Sequence, residues 1–291
     1  MGLDWPDPNI KRPYQVEYNV TLQHELVPRV SVTGAWFRRQ YYRLFQTIDR
    51  AVSFSDYSPV TVTSPLSGEA ITIYNLRPDK LGLVDQLETN SDNNLRKYNG
   101  FDVSLDARLG RRTTVFGGLA VGKQVERTCD VPDPNLLRFC DQTSFIPYQT
   151  VAKLSGSHVL PGGIVASASF QSYPGNPVNA QAAGDLQTPE AGLQVQWQVT
   201  RAVVPTLTQA LITVPLIAPG SKYLERYNQV DIRLGKQFHI NRMSLDANVD
   251  VFNLLNSNVV MRVIETFGAN LDRPQEIPQA RLFRVGAHLR F

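Results

Sequence analysis

The chain has 291 residues, of which 42% are apolar and 19% charged, and a formal net charge of +3 at neutral pH. So small a charge, with no Lys/Arg-rich segment interleaved with aromatics, excludes a nucleic-acid binder built on a basic patch. The opening "MGLDWPDPNIKRPYQ" has no apolar core and places Pro6 at the Ser/Thr position of a myristoylation signal, so it reads as neither a signal peptide nor a lipidation site.

The first predicted strand covers 14–26, where Val16, Tyr18, Val20 and Leu22 alternate with Gln15, Glu17, Asn19, Thr21 and Gln23. A period of two marks a strand with unlike environments on its two sides. A short "VPR" turn at 27–29 leads into a strand over 30–40. The long polar segment 41–95 follows, with "VTVTS" and "AITIYNL" as candidate strands lying outside any membrane. Strand 97–109 sets Phe101, Val103, Leu105, Ala107 and Leu109 against Asp102, Ser104, Asp106 and Arg108. The turn "GRR" at 110–112 joins it to 113–124, and a polar segment runs over 125–147. Strands 148–159 and 163–173 share the "PGG" turn at 161–163, before another polar segment at 174–190.

Strand 191–201 alternates Leu193, Val195, Trp197 and Val199 with glutamines, and a weaker strand is read at 207–216. The surrounding charge-free stretch 202–221 is long enough to span a bilayer, yet Pro205, Pro215 and Pro219 make it a poor transmembrane helix. Strands 226–239 and 243–253 flank the "INR" turn at 240–242. The first sets Val230, Ile232, Leu234 and Phe238 against Asp231 and Arg233; the second sets Met243, Leu245, Ala247, Val249 and Val251 against Asp246 and Asp250. A last polar segment leads to 280–291, where Phe283, Val285, Ala287, Leu289 and Phe291 oppose Leu282, Arg284, Gly286, His288 and Arg290.

One apolar and one polar face also fits a solvated antiparallel sheet. These runs, however, exceed the roughly five or six residues of ordinary strands and reach the length a tilted strand needs to cross a bilayer. Short turns alternating with long segments point the same way. The fold class is therefore all-β, an antiparallel transmembrane β-barrel of about eleven strands. An odd count puts the two ends on opposite sides, which indicates part of a larger barrel, because complete single-chain bacterial barrels have even numbers.

Asp102, Asp106, Arg108, Asp231, Arg233, Asp246, Asp250, Arg284 and Arg290 are read as lumen-facing wall residues that hold register. Cys129 and Cys140, the only cysteines, read as a disulfide closing a loop; Asp130 and Asp141 adjoin them, but no histidine stands near enough in sequence to favour a metal. His24, His158, His239 and His288 are scattered singly and read as polar wall residues. No HExxH, GxSxG or Ser-His-Asp arrangement emerges, so no catalytic, metal or cofactor residue is assigned.

"DPNIKRPYQVEYNVTLQHEL", "YNGFDVSLDARL", "RYNQVDIRLGKQF", "LDANVDVFNLLNSNVV" and "PQARLFRVGAHLRF" resemble the C-terminal half of TonB-dependent outer-membrane receptors. Within that family they look like the Oar-like receptors with a carboxypeptidase-regulatory-like N-terminal domain. The resemblance implies that residues 1–291 are part of a 22-stranded barrel, without the plug, TonB box and signal peptide that the family carries. It also implies a place in the outer membrane of a Gram-negative-type bacterium. The implied partners are membrane lipid, the plug of the same full-length protein and, through it, TonB, together with an extracellular ligand of unknown identity. Phe283, Val285, Leu289 and Phe291 resemble the terminal signal read by the barrel-assembly machinery. Two other readings stay open: a self-contained small outer-membrane barrel acting as pore or adhesin, and a soluble secreted β-rich binding protein.

Overall fold

The computed structural model describes residues 3–175, 194–240 and 243–291. In chain order its first strands are β1 (Leu3–Pro6), β2 (Tyr14–Val27), β3 (Val30–Tyr42), β4 (Phe45–Asp49), β5 (Tyr57–Thr63), β6 (Ala70–Leu76), β7 (Asp85–Asn90), β8 (Leu95–Leu109) and β9 (Thr113–Arg127). Then come β10 (Gln149–Val159), β11 (Ile164–Tyr173), β12 (Gln196–Val199), β13 (Ile212–Pro215), β14 (Tyr227–Ile240), β15 (Met243–Phe252), β16 (Arg262–Val263), β17 (Pro274–Glu276) and β18 (Leu282–Arg290). Among the described residues no helix is long and apolar enough to cross a membrane, which says nothing of crossing by strands.

Nine strands form one antiparallel sheet in the order β18-β15-β14-β11-β10-β9-β8-β3-β2. Both edges, β2 and β18, are open. Tight turns serve one end of the sheet. Arg29 (φ 71°) and Gly110 (φ 66°) adopt the left-handed conformation that such reversals need. The turn read at 240–242 lies outside the described residues at Asn241 and Arg242.

Among the described residues the wall has nine strands, where the sequence pattern indicated about eleven. Residues 191–193 lie outside the described residues, as do 176–190 of the preceding polar segment. The rest of 191–201 and 207–216 leaves the wall, so β11 pairs directly with β14. In their place β12 and β13 form a short separate hairpin. The physical reason is burial: Val195, Val199, Ile212, Val214 and Leu216 are all within 4% of full burial, and they pack against Val62, Ile71 and Ile73 of the β5–β6 hairpin. Their alternation faces a protein core instead of lipid.

This second body is stitched across long sequence distances. Asn75 Oδ1 accepts from the Thr208 backbone N–H at 2.9 Å, and Asn75 Nδ2 donates to Thr206 O at 3.0 Å. Arg138 Nε donates to Pro215 O at 2.8 Å while its guanidinium pairs with Glu69 at 2.9 Å. The candidate strands "VTVTS" and "AITIYNL" fall in the β5–β6 hairpin, apart from the wall. A three-stranded sheet, β1-β7-β4, lies next to them in the chain.

Candidate functional site

Directly opposed residues of neighbouring strands share a face, so the register sorts the wall into two sides. One side carries Tyr18, Val20 and Leu22 of β2, Phe101 and Val103 of β8, Leu234 of β14 and Val285 of β18. These side chains are not covered: Leu22 is 74% exposed and Val285 81% exposed. On β8 the apolar run from Phe101 to Leu109 measures about 27 Å along the strand, or ~20 Å in height at a 40° tilt, near the apolar band of a membrane barrel. Beyond Phe101 the same face turns polar with Asn99 and Lys97. On β2 and β3 the stacked Tyr14 and Tyr42 rings, 5.1 Å apart, mark that end. Tyrosine at such a level is characteristic of a membrane–water boundary.

The opposite side is polar, and all nine charged residues assigned to it from sequence stand on it by register. Their arrangement is less uniform than the alternation implied. Asp250, 2% exposed, accepts from Arg233 Nε at 2.5 Å and Arg284 Nε at 2.8 Å, across three adjacent strands. Asn248 Nδ2 adds a third donor at 3.0 Å. Asp231 accepts from the Asn253 backbone N–H at 2.8 Å and from Gln229 Nε2 at 2.7 Å, and so serves a loop start instead of an ion pair. Arg290 meets Asp246 at 3.0 Å. Asp102, Asp106 and Arg108 stand on this face with no ion pair among the described residues. Sequence reasoning missed the Glu17–Arg39 and Arg96–Glu126 pairs, which join neighbouring strands of the same wall.

A groove of about 410 Å³ opens on the polar face between Phe116 and Phe252. Ser155, Ser157, Ser167 and Ser169 form its floor, while Asp231, Arg233 and Asp250 line one side. Serine side chains are short, so the sheet is thin here and the rings stand proud; Phe116 is 52% exposed. Sequence reading passed over this groove because it looked for charges and histidines. The available signal was the coincidence of small residues at every second position in "LSGSHV" and "VASASF".

All four histidines stand on strands of the wall, as the sequence reading has them, and divide between its faces. His239 and His288 lie on the polar face, but His24 and His158 lie on the apolar one. Both sit close to tight turns, where the apolar face meets its boundary. Cys129 and Cys140 are disulfide-bonded, with Cα atoms 5.0 Å apart. Phe283, Val285 and Leu289 occupy the apolar face of the edge strand β18, and Phe291, just past it, is 99% exposed.

Outside the wall, several ionisable groups are displaced from their ordinary behaviour. Burial first, then Asp133, Asp49 and Asp56, push the Tyr57 phenol up to about 12. The Asp56 carboxyl is held low by the Ser53 backbone N–H and hydroxyl, with help from Lys80 and Arg77. Arg138 holds Glu69 low. These shifts belong to the body built by β5, β6, β12 and β13, and none marks a catalytic centre.

Among the described residues, long meandering antiparallel strands form an all-β wall with one exposed apolar face and one ion-paired polar face. The sheet is open, so the wall is not closed on itself. The chain is similar to the outer membrane transporter YddB from Escherichia coli, with a TM-score of 0.47 and 11% identity over 96% of this chain and 33% of that one. It is likewise similar to the siderophore receptor PirA from Acinetobacter baumannii, with a TM-score of 0.48 and 14% identity over 96% of this chain and 32% of that one. The chain thus spans about a third of the length of either structure. No protein-family model and no curated protein sequence matches it.

Proposed function

We propose that the chain is part of the barrel wall of a TonB-dependent receptor in the outer membrane of a Gram-negative-type bacterium. The observation that carries this reading is the uncovered apolar face opposite the ion-paired polar face. A soluble sandwich would bury the first against another sheet, yet Leu22 and Val285 remain mostly exposed. The polar face then meets water and a plug belonging to the same full-length protein, with TonB supplying energy through that plug. The body around the β5–β6 hairpin stands at the long-loop end, where an extracellular ligand arrives. The barrel-assembly machinery pairs with the β18 edge and reads Phe291 at its end. The role is passage and recognition, without covalent chemistry.

The reading of a self-contained small barrel is less well supported. Eight antiparallel pairings separate β2 from β18, so these edge strands run in the same sense. Joining them directly would make a parallel seam in an otherwise antiparallel sheet. Further strands, odd in number, give a fully antiparallel closure.

Trp36 tests the membrane assignment. It lies on the apolar face between Val20 and Phe101, whereas Trp5 and Trp197 lie outside the wall. In the W5F/W197F chain reconstituted into vesicles, Trp36 emission should be blue-shifted and quenched by lipids brominated in the part of the acyl chain nearest the headgroup, because Trp36 shares the last apolar row with Phe101. Red-shifted emission untouched by brominated lipid would sink the reading.

A further inference from the structure

The apolar face is not uniformly smooth. At the tight-turn end, a depression of about 380 Å³ crosses β9, β10, β11 and β14. Its floor is Gly156, Ala166 and Ala168, and its walls include Val115, Ile232 and Leu234. Elsewhere in the same two rows stand Val30, Leu109, Val249, Val251, Phe283 and Val285, with Ala107 the one further small residue. Three small residues side by side on adjacent strands therefore leave a trough about as wide as one hydrocarbon chain. The volume lies within the range of small-ligand sites.

The end of the trough nearest the turns is polar. Thr113 Oγ1 and His158 Nδ1 are hydrogen-bonded at 2.7 Å on one flank. On the other flank Lys236 stands on the apolar face opposite Ile164, one row nearer the turn than Leu234. Its ammonium lies 5.0 Å from the centroid of the Phe238 ring. Arg38, Lys97 and Lys123 share this face only at its long-loop end. In the turn-side half, Lys236 is the one Lys, Arg, Asp or Glu among the described strand residues of the apolar face. A lone cation there keeps its charge at the headgroup level by snorkelling. The exposed Arg111 and Arg112 of the neighbouring turn add positive charge at the same end.

From this we infer that the trough is a binding site for one anionic phospholipid of the leaflet at the tight-turn end. An acyl chain fills the space over Gly156, Ala166 and Ala168, and the phosphate is held by Lys236 and the Thr113–His158 pair. Charge complementarity and continuity with the lipid-facing belt commit the site to a lipid instead of a protein segment. The inference rests on the membrane reading of this face.

Native mass spectrometry of the full chain in dodecyl maltoside, titrated with phosphatidylglycerol and with phosphatidylcholine of the same chains, tests it. One phosphatidylglycerol should be retained per chain at about tenfold lower concentration than phosphatidylcholine. Lys236→Gln should make the two lipids equivalent. Ala166→Leu with Ala168→Leu, which fills the trough, should abolish retention of both. Equal retention of the two lipids by the unmodified chain overturns the site, as does undiminished retention by the filled variant. If filling the trough unfolds the sheet by circular dichroism, Lys236→Gln decides alone, because an unchanged preference in that variant refutes the phosphate contact. Quenching of Trp36 by brominated lipid alongside equal retention overturns this site and leaves the membrane reading standing; loss of that quenching overturns the membrane reading itself.

Discussion

Leu207→Ala separates the two parts of the molecule. Leu207 is 2% exposed and packs with Ile73 and Val199 in the core of the body outside the wall. The substitution removes three buried carbons, worth about 0.8 kcal/mol each and so ~2.4 kcal/mol in transfer. A residual cavity of roughly 40 Å³ adds about 1 kcal/mol, for a total near 3.4 kcal/mol. The core is supplied by the β5–β6 and β12–β13 hairpins and not by the wall, so that cost should fall on local opening of the body. Hydrogen exchange on the full chain in detergent reads it directly. Amides of β6 and β13 should exchange about 300-fold faster, from roughly 1.4 kcal/mol per tenfold. Amides of β8, β9 and β14 should keep their rates. Equal acceleration in the wall would mean one cooperative unit, and a change under threefold in β6 would mean that Leu207 does not support this core. Either result refutes the division into wall and separate body.

Two further outcomes concern the same body. The Cys129–Cys140 bond closes a loop over a sequence separation of 11, worth about 3 kcal/mol by loop entropy. Because that loop positions Arg138 against Glu69 and Pro215 O, Cys129→Ser with Cys140→Ser should speed tryptic cleavage after Arg138 by about a hundredfold. An unchanged cleavage rate would remove the disulfide from the account of this contact. Acid should loosen the body as well. Asp56, Glu69 and Asp141 all have lowered folded values, so their contribution is complete above the ordinary values of 3.8 to 4.5 and is lost as pH falls through the folded ones. Glu265 is raised by burial and works in the opposite sense. In a W5F/W36F chain, Trp197 fluorescence, which reports on this core, should hold down to about pH 4.5 and shift to the red as the pH falls further, to about pH 2. A flat signal would show that these carboxylates do not hold the body together.

How far the sequence could be read depends on what alternation encodes. A period of two declares that a strand has two unlike faces, and it located the wall strands to within a few residues, as at 14–26 against Tyr14–Val27. It does not declare what covers the apolar face. Val195 and Val199 alternate with glutamine as cleanly as Phe101 and Val103 alternate with Asp102 and Ser104, yet the first pair is buried in protein and the second is bare. The difference lies in partners far along the chain, Ile71 and Ile73, which no local window contains. Length did not separate them in the sequence either: the strand read at 191–201 becomes a β12 of 4 residues, whereas the one read at 97–109 becomes a β8 of 15. Charges showed the same limit. Asp250 was legible as facing the polar side, but its central position depends on Arg233 and Arg284 arriving from the two flanking strands in register. Small residues were the least legible of all. The serine floor on one side of β10 and β11, and the Gly156–Ala166–Ala168 trough on the other, come from what those side chains lack. Their neighbours' bulk is what turns that lack into a shape, so both sites exist only once four strands are set side by side.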